Sequence, residues 1–297
     1  MKNGDEYKSA YLIGGAVVGI SKFPMLRASS TAKTSWIAYI LIAVVATTAS
    51  AASDELTWLQ NTQFMAYTPS EFRVEAGRPV AASRESIVAD LTLLRRHVNG
   101  LMTYSSSNGL DQIVDVAQTA GFHAVILGMW SPTDADEFNR TVRTARAHPQ
   151  LVRAIAVGNE GLFWKRYQWP DVTRVITQLR RELPGVAMTT SEPMASYLGS
   201  PQRLDCDQQD FLLPNIHPLF ETWFRPDAPQ QAAQFVVETS NRLHALCKKF
   251  VLVKETGAPS GPPERGMSPR SQAQLWSELL RRLRAQKNVG LALFEAF

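Results

Sequence analysis

From residue 60 onward the chain alternates short β-type runs with amphipathic helical runs, and this interleaving points to parallel βα units rather than separate all-α or all-β domains. Eight candidate strands can be marked, at 64–67, 100–104, 124–129, 152–157, 186–190, 211–216, 250–254 and 289–294. Helical patterns lie between them at 84–97, 110–120, 135–147, 171–182, a weak one at 194–198, 229–247 and 271–285. Ser83 before the first helix, Gly121 after the second and Ser268-Pro269 before the last are the expected start and stop residues. Eight parallel strands joined by helical crossovers predict an α/β fold of the (β/α)8 TIM-barrel type, which needs about 250 residues. The 297 residues, 45% of them hydrophobic, suffice for its single large core. The chain stops at Phe297 with no eighth helix, so the barrel is expected to lack its final helix and to show an apolar flank on its first and last strands.

The N-terminal segment reads differently. No charged side chain occurs between Lys33 and Asp54, and the run from Trp36 to Ala46 is almost wholly apolar. Residues 35–52 are therefore expected to be a signal peptide, with Ala49-Ser50-Ala51 as a small-x-small cleavage site, or an uncleaved membrane anchor. Residues 1–34 read as a leader, part of it ahead of a more typical start at Met25, and 53–297 as the catalytic barrel. The expectation is an exported protein, periplasmic or secreted, monomeric, with inner-membrane anchorage if the segment is kept. The net charge of +4 is spread over helix faces rather than gathered in a block, which argues against nucleic acid as a partner. Cys206 and Cys247, 41 apart, leave two readings open, one disulfide or two free thiols, and their spacing suggests no metal site.

In a barrel of this kind active sites form at the C-terminal ends of the strands. There the sequence places Gly158-Asn159-Glu160 after strand 4 and Glu255-Thr256-Gly257 after strand 7. Two carboxylates across one mouth can serve a glycosidase, one protonating the leaving oxygen and the other attacking the anomeric carbon. Other strand ends offer Tyr67, Thr103, Tyr104, Trp130, Glu192, His217, Phe294 and Glu295, with Trp223 close behind. Tyr67, Tyr104, Trp130, Trp223 and Phe294 are candidate flat faces for pyranose rings. His217 can bond a sugar or orient a carboxylate, and Glu192 either supports the site through hydrogen bonds or sits in a salt bridge. Trp164 and Trp169 either line the cleft or anchor their loop.

Val157-Gly158-Asn159-Glu160, together with Val253-Lys254-Glu255-Thr256-Gly257-Ala258-Pro259-Ser260, resembles the paired signatures of the family 17 glycoside hydrolases, the β-1,3-glucanase and glucan transglycosylase family. The likeness takes in Ala66-Tyr67-Thr68-Pro69, Thr103-Tyr104-Ser105, Leu127-Gly128-Met129-Trp130 and Phe294-Glu295-Ala296-Phe297. It implies that Glu160 is the general acid/base, Glu255 the nucleophile of a retaining reaction, and Asn159 a contact to the sugar 2-hydroxyl. The implied substrate is β-glucan polysaccharide or oligosaccharide, and the implied chemistry needs neither metal nor organic cofactor. Met102 and Ala258 stand where many members carry Arg and Trp. Hydrolysis of β-1,3-glucan leads; a transglucosylase using the same two Glu, or a non-catalytic glucan-binding barrel, are the alternatives.

Overall fold

The computed structural model describes residues 56–199 and 206–296. The leader and the apolar segment at 35–52 lie outside the described residues, and among those described no helix is long and apolar enough to cross a membrane. The chain divides into two compact units, 1–61 and 62–297. Of the first, a short helix α1 (Thr57–Asn61) is described.

The second unit is built from β1 (Phe64–Tyr67), a hairpin of β2 (Arg73–Glu75) and β3 (Arg78–Val80), then α2 (Arg84–Leu94), β4 (Gly100–Met102), α3 (Gln112–Thr119), β5 (Ala124–Met129), α4 (Ala135–Ala147), β6 (Val152–Asn159), α5 (Trp169–Glu182), β7 (Ala187–Ser191), α6 (Met194–Leu198), α7 (Pro229–Cys247), β8 (Val251–Val253), α8 (Pro269–Leu283) and β9 (Val289–Ala296). Seven strands form one parallel sheet in the order β7-β6-β5-β4-β1-β9-β8. Each is sequence-adjacent to its neighbour except where β9 returns to pair with β1, which is how a right-handed βα series curls into a barrel.

Residues 210–216 occupy the eighth place. They were expected as a regular strand, but they join the sheet only by isolated bridges at Leu212 and Asn215. Pro214 has no N–H to give to a ladder, which breaks the regular pattern. The closure is still made: Asp210 N donates to Met188 O at 2.8 Å and Asn215 N to Glu192 O at 2.9 Å on the β7 side. On the β8 side Leu212 N donates to Phe250 O at 2.9 Å and Lys254 N to Pro214 O at 3.0 Å. The fold is therefore a (β/α)8 barrel whose described residues end with β9, and Met65, Leu291 and Leu293 on the flanking strands are only half-buried.

The helices start where side chains can satisfy their first N–H groups. Ser83 accepts from Ser86 N at 3.1 Å, Asp134 from Glu137 N at 2.9 Å, and Ser268 from Ser271 N at 3.1 Å with Pro269 next. Their apolar faces bury Ile87, Leu91, Ile176 and Leu179 in one cluster and Val236, Leu243, Leu275 and Leu279 in a second. Cys206 and Cys247 are joined by a disulfide, so the second reading of that pair falls. It ties the loop before the eighth barrel segment to the end of α7.

Candidate active site

Gly158 and Glu160 give the end of β6 its shape. Gly158 has φ +83°, and a Cβ there would lie 2.1 Å from Tyr167 Oη, so only glycine lets the chain turn under that ring. Glu160 itself has φ +53°, a costly conformation for a residue with a Cβ. It is held by Glu160 N donating to Ser191 O at 2.8 Å and by Trp164 N donating to Glu160 O at 3.0 Å. The twist aims the carboxylate inward, where Asn215 Nδ2 donates to Oε1 at 2.9 Å and Trp164 Nε1 to Oε2 at 3.4 Å.

Across the mouth, Glu255 follows β8 and is buried, with His217 Nε2 3.5 Å from Oε2 and Lys254 Nζ 3.6 Å from Oε1. Burial pushes this carboxyl up, but the His217 hydrogen bond and the Lys254 charge outweigh it and hold Glu255 below the usual carboxylate range. One oxygen of Glu160, one of Glu255 and a ring nitrogen of His217 all lie within 4.8 Å of one another. Lys254 already supplies positive charge beside them, so the arrangement favours proton transfer and nucleophilic carboxylate chemistry over a bound cation. Lys254 Nζ also donates to Asn159 Oδ1 at 2.6 Å and lies 3.9 Å from the Tyr104 ring centre. The Tyr104 hydroxyl and Glu255 Oε1 are both buried, and the hydroxyl faces the Glu255 carboxylate and helps to hold it below the usual carboxylate range.

Around this centre Trp130, Trp164 and Phe220 are 41%, 49% and 53% exposed, and exposed aromatic faces at a cleft mouth suit sugar rings. Arg166 stacks on Trp130 at 4.3 Å and donates to the Asn159 carbonyl. Phe294 flanks His217 edge-on at 5.8 Å, and Glu295 accepts from Thr68 Oγ1 at 2.8 Å.

Of the residues expected at the site, Glu160, Glu255, Asn159, Tyr104, His217, Trp130, Phe294 and Glu295 gather at this mouth. Four are instead engaged with the protein itself. Tyr67 is 1% exposed and its hydroxyl donates to Asp90 Oδ2 on α2 at 2.9 Å. Thr103 is buried with Oγ1 accepting Gly128 N at 2.9 Å, which ties β4 to β5. Trp223 is half-buried and packs edge-on against Phe235 of α7 at 5.1 Å, a contact that anchors the ring and leaves part of it exposed. Glu192 is wholly buried beneath the loop that follows Glu160, accepting Leu162 N at 3.1 Å, Phe163 N at 3.3 Å and Tyr167 Oη at 3.2 Å. That is a supporting role through hydrogen bonds, not a contact to sugar. Sequence reasoning missed Asn215, Lys254, Arg166 and Phe220; the one signal available was a lysine at the end of an otherwise apolar strand, Val251-Leu252-Val253-Lys254.

A protein of Aspergillus flavus named probable beta-glucosidase btgE is 28% identical over 220 residues, 71% of this chain and 35% of that protein. An Arthroderma benhamiae protein named glucan 1,3-beta-glucosidase is 22% identical over 181 residues, 58% of each. The chain thus spans about a third of the length of the Aspergillus relatives. Among solved structures, a family 17 β-1,3-glucanosyltransferase from Rhizomucor miehei has the same fold with a TM-score of 0.62 at 20% identity, covering 80% of this chain and 87% of that one. An endo-laminarinase from Formosa gives 0.65 at 18% identity, with coverage of 78% and 77%. Residues 65–297 match the BtgE/BtgC glycoside hydrolase domain, and the chain belongs to that family.

Proposed function

We propose that the chain is a retaining enzyme that hydrolyses β-1,3-glucan through a covalent glycosyl-enzyme, with Glu160 as acid/base and Glu255 as nucleophile. The observation that carries this is the approach of the two carboxylates to within 4.8 Å. Retention asks for about 5 to 5.5 Å, whereas inversion needs at least about 6.5 Å to admit a water between substrate and base. A Glu255 held below the usual carboxylate range is ionised and ready to attack.

In the first step Glu255 attacks the anomeric carbon as the bond from that carbon to the leaving oxygen breaks, and the Glu160 proton passes to that oxygen. The product is a glycosyl ester on Glu255. In the second step Glu160, now a carboxylate, takes a proton from water as the water oxygen bonds the anomeric carbon, and Glu255 leaves as a carboxylate. Asn159 Nδ2 is free to donate to the 2-hydroxyl because its Oδ1 is occupied by Lys254. The β-1,3-glucan assignment is supported by the names of the relatives and by an open, aromatic-walled mouth. Export is supported by the disulfide, which persists in oxidising compartments.

The test is product analysis of the full chain incubated with laminari-oligosaccharides beside Glu160→Ala and Glu255→Ala. Shorter products, lost in both variants, are expected. Longer products lost in both would make the acceptor a sugar instead of water, and no turnover by folded wild-type protein would end the catalytic reading.

A further inference from the structure

Lys254 is 1% exposed, at the mouth end of an apolar strand. An ammonium is costly to bury unless charges and acceptors surround it, yet the two-carboxylate cycle has no step that uses it. Its Nζ donates to Asn159 Oδ1 at 2.6 Å, lies 3.6 Å from Glu255 Oε1 and stands 3.9 Å from the centre of the Tyr104 ring. Glu255 Oε1 is buried, and the ammonium 3.6 Å away is the positive charge beside it, with the Tyr104 hydroxyl also facing the carboxylate. One side chain from β8 thereby touches the attacking carboxylate, the amide after β6 and an aromatic face after β4.

We propose that Lys254 is a positioning residue for the reaction: its charge keeps Glu255 a carboxylate, and its hydrogen bond fixes the Asn159 amide with Nδ2, a donor, toward the substrate. This rests on Glu255 being the nucleophile. The charged and titratable groups around the pair come from every neighbouring element: Glu160 after β6, His217 after the 210–216 segment, Glu295 in β9 and Tyr104 after β4. Burial lowers the lysine below its ordinary value, and the three carboxylates Glu255, Glu160 and Glu295 offset part of that. His217 reaches the other oxygen of Glu255, so substituting Lys254 takes away the charge beside Oε1 without removing the His217 side chain.

The experiment is the pH dependence of kcat/KM on a laminari-oligosaccharide for the full chain, Lys254→Met, Lys254→Gln and Lys254→Arg, with Glu255→Ala run alongside and thermal melts on each. Loss of the charge is expected to move the acidic limb up by about 1 to 3 pH units, the span an opposite charge at this distance commands. Lys254→Arg should return the limb to the wild-type position. The same uncharged variants should narrow the wild-type preference for a glucoside over its 2-deoxy analogue, because Asn159 is no longer held as a donor. An acidic limb that stays in place in a folded Lys254→Met or Lys254→Gln protein overturns the proposal, as does failure of both uncharged variants to fold while Lys254→Arg folds, since either makes Lys254 a packing residue only. Full turnover by Glu255→Ala would instead remove the reading on which the proposal stands.

Discussion

Asn215 holds the position of Glu160 through a single bond, Nδ2 to Oε1 at 2.9 Å, and is itself steadied by Ser191 Oγ at 3.3 Å. An ordinary hydrogen bond contributes about 0.5 to 1.5 kcal/mol. Asn215→Ala is therefore expected to lower kcat by about 2- to 10-fold with a small change in KM; an unchanged kcat in steady-state assays would show that Trp164 and the backbone suffice to place Glu160. Glu192 has a different signature. Burial outweighs the three hydrogen bonds it accepts and moves its carboxyl from 4.5 up to about 7. Because the folded value lies above the unfolded one, the stability linked to its proton is complete below about pH 4 and is lost as pH rises through about 7. Denaturant unfolding followed across that window should show the wild type losing up to about 3 kcal/mol that Glu192→Gln does not lose; parallel curves would contradict the assignment. Both catalytic candidates were legible because two carboxylates follow strands on opposite sides of one mouth, within motifs that resemble a known pair of signatures; a single strand-end carboxylate such as Glu192 carries no such mark. Tyr67 and Thr103 sat at the same kind of position and were misread, because strand-end position does not say which way a side chain points. Asn215 was hidden for the opposite reason: an amide in a proline-interrupted run carries no charge to mark it.

At the scale of elements, the mouth is held open by Glu137 on α4. It is 1% exposed and accepts from Ser105 Oγ at 2.5 Å, Ser106 N at 3.0 Å, Trp130 N at 2.9 Å and Ser131 N at 3.0 Å. One carboxylate thus ties the turn after β4, which carries Tyr104, to the turn after β5, which carries Trp130. Glu137→Ala would strand several buried donors, each costing about 1 to 3 kcal/mol, so a loss of at least about 3 kcal/mol in chemical denaturation is expected. A change under about 1 kcal/mol would mean that the two turns are held by packing instead. The helical and strand periods of the sequence located β1, β5, α4, α6 and α7 to the residue; the helices start at a cap or a proline, and the strands are short apolar runs. The hairpin β2–β3 was not legible: its strands are three residues each and almost wholly exposed, so no buried alternation marks them. The irregular eighth segment read as a strand because its residues are apolar, and only Pro214 hinted that its ladder would be broken.

For the whole molecule, the disulfide between Cys206 and Cys247 closes a loop of 41 residues next to the last segment to join the barrel. Loop-closure entropy assigns it about 4 kcal/mol. Reduction, or Cys206→Ser with Cys247→Ser, is expected to lower Tm while leaving activity below the transition intact, since neither cysteine touches the mouth; loss of activity in step with reduction, without unfolding, would contradict this. The barrel brings one oxygen of Glu160 and one of Glu255 to within 4.8 Å of each other, and the proposed covalent intermediate is tested at that pair. The most direct measurement is mass spectrometry of the intact chain after exposure to a 2-deoxy-2-fluoro-glucosyl donor with a good leaving group, which slows the second step more than the first. The account predicts one added fluoroglucosyl unit, mapped by proteolysis to Glu255 and absent from Glu255→Ala. Turnover of the donor with no adduct on the chain, or an adduct on any other residue, would contradict it.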